Sequence, residues 1–89
     1  MAHHHPQSSD VVARLARVEG HVRAIKQMSE EGKPCADILL QISAVQAALR
    51  KTGEAVLRDH LEQCVLSAEP EEMKELLMEL KDALAHYGR

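Results

Sequence analysis

The stretch CADILLQISAVQAALRKTGEAVLRDHLEQCVL, residues 35–66, decides the fold. Apart from Gly53 it contains no helix breaker, and Ile38, Ile42, Val45, Leu49, Thr52 and Val56 recur along it at near-heptad steps. This spacing predicts one long helix, running to about Leu66, with an apolar seam. A helix of this kind is stable only when its seam is covered, so the rest of the chain or further copies of it must do so.

Upstream, Gly32, Lys33 and Pro34 form a break, glycine suiting a helix end and proline the start of the next helix. Before the break, Val11, Leu15, Val18, Val22 and Ile25 mark an amphipathic helix over about 11–31, with Ser8, Ser9 and Asp10 as candidate N-caps. Residues 1–10, MAHHHPQSSD, read as a flexible arm. Downstream, the acids around Pro70 suit the first turn of a helix, and Met73, Leu76, Leu77, Leu80 and Leu84 carry it over about 70–87. The expectation is an all-α protomer of three helices, a single domain over residues 11–89 behind the arm.

With 89 residues, 45% apolar and 1% aromatic, the core must be small and aliphatic, and oligomerisation is the expected source of further burial. No leader, lipidation motif or apolar run of about 18 residues is found, which predicts a cytoplasmic protein with no membrane partner and free thiols. Acid–base pairs, nucleophile motifs and phosphate loops are also missing, so an enzyme is not expected. The net charge of −3 conceals an asymmetry: residues 11–58 hold eight Lys or Arg against five Asp or Glu, and residues 59–89 hold three against eight. A basic surface can thus coexist with an acidic tail.

The segment RDHLEQC places His60 four residues before Cys64, on one helical face, where both can ligate one ion. Cys35 cannot join them within a chain, because 25 steps of a continuous helix span about 38 Å. If two copies of the helix pack antiparallel, Cys35 of one meets His60 and Cys64 of the other. Folding the first helix back at residues 32–34 brings the arm alongside, and His3 becomes the fourth candidate, with His4, His5 and His21 as spare nitrogens. Two thiolates and an imidazole suit trigonal Cu(I), whereas two nitrogen and two sulfur ligands suit Ni(II), with Zn(II) or Co(II) also accommodated.

RLARVEGHVRAIKQM, PCADILLQISAVQAAL and LRDHLEQCV, in this order and spacing over residues 11–66, resemble the CsoR/RcnR family of bacterial metal- and stress-sensing transcriptional repressors. The resemblance implies an antiparallel four-helix-bundle dimer that pairs into a homotetramer. It also implies repression through operator DNA, usually G/C-rich, and derepression of efflux or detoxification genes once one metal ion per protomer is bound. Cys35, His60 and Cys64 match the ligands of the family's copper sensors, and His3 matches the arm histidine that nickel and cobalt sensors add. Pro34 and Leu80 stand where copper sensors commonly have Tyr and Glu, and EGHVR and KPC are closer to the nickel branch, so the expectation leans to Ni(II) over Cu(I).

No helix-turn-helix or aromatic platform is apparent, so DNA affinity is expected from phosphate contacts and DNA shape. Arg14 and Arg17 on the first helix and Lys51 with its neighbour Arg50 on the second are the candidate contacts, and Arg14, Arg17 and Lys51 match the family's DNA-contacting positions best. The alternatives are a persulfide- or aldehyde-sensing repressor of the same family, and a storage or chaperone protein that binds metal without DNA.

Overall fold

The computed structural model describes residues 6–66 and 68–87, except the side chains of residues 64 and 65. Three α-helices follow in order, α1 (Ser9–Glu30), α2 (Cys35–His60) and α3 (Pro70–Tyr87), with a π-helical turn over Leu61–Val65 after α2. The chain divides into two compact units, Gln7–Val56 and a second from Leu57 onward. No helix among the described residues is long and apolar enough to cross a membrane.

In the first unit, α1 begins two residues before the expected Val11. The Ser8 hydroxyl accepts the Val11 amide at 3.3 Å, which satisfies a helix-start donor and fixes Ser8 as the N-cap. At the other end Gly32 adopts φ 70°, while Lys33 N–H donates to Met28 C=O at 3.0 Å and Gly32 N–H to Ser29 C=O at 3.2 Å. These paired bonds form a Schellman cap, which needs a left-handed residue where a side chain would be strained. Pro34 then caps α2 from outside the helix, its carbonyl accepting from Asp37 and Ile38.

The near-heptad seam of α2 divides in two. Ile38, Val45 and Thr52 are buried or half-buried together with Gln41, Ala48 and Ala55, whereas Ile42, Leu49 and Val56 remain exposed at 39%, 44% and 36%. Likewise α1 buries Val11 and half-buries Val18, Ile25 and Met28 while Leu15 and Val22 stay exposed. The Thr52 hydroxyl avoids a buried, unsatisfied state by donating to Ala48 C=O at 2.8 Å.

In the second unit, the turn over Leu61–Val65 is wider than an α-helix, and Leu66 N–H reaches back five residues to Leu61 C=O at 3.0 Å. The spacing of apolar residues instead predicts an ordinary helix through this segment to about Leu66. For α3, Glu72 returns a carboxylate oxygen to the Glu69 amide at 3.4 Å and Pro70 fills the first helical position, where its missing N–H costs nothing. Leu76 is buried, with Ala68 and Met73 packed against it. Of the other expected core positions Leu80 is half-buried, while Leu77 and Leu84 are exposed within the single chain.

Candidate functional site

His60 is the last residue of α2, in a turn that also carries Arg58. Its Nε2 is buried and has no hydrogen-bond partner among the described residues. An imidazole nitrogen withdrawn from water without a partner loses hydration that nothing replaces, and a ligated ion is one group that restores it. The π-helical turn begins at the next residue, so the backbone between His60 and Cys64 is widened, a distortion that recurs at functional positions.

Cys35 stands at the opposite end of α2, as its first residue, and its thiol is free and exposed. The Cys64 backbone lies within the π-helical turn, while its side chain and the whole of His3 lie outside the described residues. Among the described residues no three His, Cys, Asp or Glu side chains converge within one chain. Cys35 and His60 are the first and last residues of α2.

A second feature lies wholly within the α1–α2 hairpin. Arg14, Arg17, Val18 and His21 of α1 and Ala48, Lys51 and Thr52 of α2 line an open cavity of about 250 Å³. The helical spacing of residues 14, 17 and 21 places them along one side of α1, and the first three of Arg14, Arg17, Lys51 and Arg50 share the cavity. Arg50 is exposed and does not line it.

His21, read from the sequence as a spare nitrogen, instead lies 2.7 Å from the Gln41 amide oxygen through Nε2, a polar tie between α1 and α2. Its position one turn beyond Arg17 was the available signal, but the Gln41 partner depends on the register of the hairpin. Three cations around a groove make a surface that attracts phosphate. The concavity on α3, lined by Glu71, Lys74, Glu75, Met78, Glu79 and Asp82, has the opposite charge balance.

The described residues thus offer a helical architecture, a buried imidazole nitrogen without a hydrogen-bond partner among them, and a basic groove. Residues 7–86 match the family described as metal-sensitive transcriptional repressor, and the chain belongs to it. It is thus a metal-responsive transcriptional repressor, a regulator and not an enzyme.

Among its relatives is the copper-sensing transcriptional repressor RicR of Mycobacterium tuberculosis, 52% identical over 68 residues that span 75% of this chain and 71% of RicR. The copper-sensing repressor CsoR of Bacillus subtilis is 45% identical over 62 residues, 70% of this chain and 61% of that protein. Two solved structures share the fold along most of their length. The copper-sensing repressor CsoR with Cu(I) from Geobacillus thermodenitrificans is 38% identical with a TM-score of 0.82, covering 97% of this chain and 95% of that one. The nickel-responsive transcriptional regulator InrS is 39% identical with a TM-score of 0.72, covering 96% and 99%.

Proposed function

We propose that this chain holds operator DNA when metal-free and releases it on binding Ni(II) or Cu(I), derepressing genes for metal efflux or detoxification. The ligand set is His3, His60 and Cys64 of one protomer with Cys35 of a second copy, one ion per protomer. The observation that carries this reading is the buried Nε2 of His60, without a hydrogen-bond partner among the described residues, beside the widened turn that bears Cys64. Two thiolates and His60 are enough for Cu(I), and His3 completes the four ligands that Ni(II) favours. The relatives divide along the same line, copper-sensing and nickel-responsive.

Sharing the site requires an antiparallel pairing of α2 helices, and the uncovered seam of Ile42, Leu49 and Val56 supports a second copy as its occupant. Exposed Leu39 and Leu15 extend the apolar surface that a homodimer, and a homotetramer built from it, would cover. DNA is held at Arg14, Arg17 and Lys51 in the groove, with Arg50 beside it. The protein's two states differ in whether the arm, the end of α2 and the other copy's Cys35 are held together. The held state presents the grooves poorly to a duplex, so by linkage DNA weakens metal affinity by the same factor that metal weakens DNA affinity. A coupling of about 1–3 kcal/mol changes occupancy about fivefold to 150-fold.

The test is binding to a duplex from the chain's own upstream region, measured with Ni(II), Cu(I) and a persulfide donor on wild type and His3→Ala. Release by Ni(II) in wild type only, with release by Cu(I) in both, is the expected pattern. A persulfide response without a metal response refutes the metal reading, and stoichiometric metal without any DNA response makes the chain a storage protein.

A further inference from the structure

The three cations of the groove are not equivalent. Arg14 Nε donates to the Asp10 carboxylate at 3.1 Å, one turn back on α1, with both side chains partly exposed. Arg17 and Lys51 have no hydrogen-bond or ion-pair partner among the described residues. A phosphate entering the groove therefore meets two cations without a partner among the described residues and one already facing an anion. Two anions sharing one guanidinium repel each other, so the Arg14 contact yields less to a phosphate than the other two.

We propose that Asp10 is an internal counter-ion that attenuates the groove: it neutralises Arg14 and sets how many phosphate contacts each protomer makes. The proposal rests on the reading of this groove as the DNA-binding surface. The contact with Asp10 is made at Nε, and the terminal amines of Arg14 are further donors for a phosphate once the carboxylate is gone. Removing the Asp10 charge converts Arg14 into a third full contact, and each added contact steepens the salt dependence of DNA binding by a calculable amount. Asp10 thus buffers affinity against salt, which suits a repressor that must also let go.

Anisotropy of a short fluorescein-labelled duplex of mixed sequence, titrated over a range of salt concentrations, tests this on the full chain, because phosphate contacts do not depend on sequence. For Asp10→Asn the slope of log K against log salt should steepen by about 0.9 per groove that touches the duplex. With one groove engaged, the advantage over wild type then shrinks about 3.5-fold for each fourfold rise in salt. Asp10→Glu, which keeps the charge, should retain the wild-type slope, and the steepening caused by Asp10→Asn should be smaller when Arg14→Ala is also present. Circular dichroism at each salt concentration shows whether the variants stay folded, which separates a folding defect from a change in phosphate contacts. An Asp10→Asn slope equal to or shallower than wild type overturns the proposal. If Lys51→Ala flattens the slope while Asp10→Asn does not steepen it, only this proposal fails; if Lys51→Ala also leaves it unchanged, the groove is not the DNA face and both readings fall.

Discussion

Cys35 and His60 occupy the first and last positions of one 26-residue helix. Along a continuous helix, 25 steps of about 1.5 Å amount to about 38 Å, more than fifteen times a metal–ligand bond, so the proposed common ion joins them across two chains. This separation makes a mixing experiment quantitative. Homodimers of Cys35→Ala lack the thiol in both sites, and homodimers of His60→Ala lack the imidazole in both. When the two variants are unfolded together and refolded, random pairing makes about half of the dimers mixed, and each mixed dimer contains one site with both residues and one with neither. The mixture should therefore bind about one quarter of the wild-type metal, where each variant alone binds none at the full ligand set. Thiolate-to-metal charge-transfer absorbance in a Ni(II) or Cu(I) titration reads the capacity, and native mass spectrometry counts the mixed dimers. Cys35 is exposed, so its truncation leaves the fold intact. A mixture that contains mixed dimers yet binds no more metal than its components would refute the shared site. Full capacity in either variant alone would remove that residue from the ligand set.

Three further outcomes follow from the same structure. Leu49→Asp should weaken self-association at least about tenfold by sedimentation equilibrium, because two copies each forfeit roughly 0.7–1.3 kcal/mol for the 44% of Leu49 left to bury, before the cost of the charge; wild-type association would show that this seam is not the interface. Leu76→Ala, at a side chain 1% exposed, should destabilise the protein by about 2–5 kcal/mol in denaturant unfolding followed by circular dichroism, whereas an equivalent truncation at exposed Met78 should do little. Gly32→Ala should cost about 1–2 kcal/mol in the same assay, because the space around Gly32 is open and the penalty comes only from its φ of 70°; an unchanged midpoint would mean the Schellman cap does not hold the α1–α2 turn.

How much of this was legible in the residues varies with the physics that fixes each part. The three helices follow from local rules: periodicity, a serine cap, a glycine with left-handed backbone and a proline at a first turn all act within a few residues. The π-helical turn does not follow, because LEQCV contains no breaker, and nothing in its composition distinguishes a bond to the fifth residue back from one to the fourth. The groove was legible as charge, through Arg14, Arg17 and Lys51, but not as a set. Excluding Arg50 and including His21 depends on how the two helices are registered, which the Gln41 contact reports and the sequence spacing does not.

The α2 seam shows most clearly where sequence periodicity stops being informative. Ile38, Val45 and Thr52 form one heptad series and Ile42, Leu49 and Val56 another, and in the sequence they read as a single stripe. In the folded chain only the first series is withdrawn from water. Residues four apart differ by only about 40° around a helix, so one apolar stripe can serve two neighbours, and periodicity does not say which residues face which. The separation of Cys35 from His60 and the exposure of the second series then become one requirement. The exposed apolar surface lies along the helix whose two ends carry the proposed ligands, so a second copy that covers Leu49 is also one that can carry its Cys35 to His60. An antiparallel pairing satisfies both at once, whereas a parallel pairing covers the seam and leaves every Cys35 beside another Cys35. The direction of pairing, more than the identity of any single ligand, therefore decides whether this helix is a sensor or only a bundle.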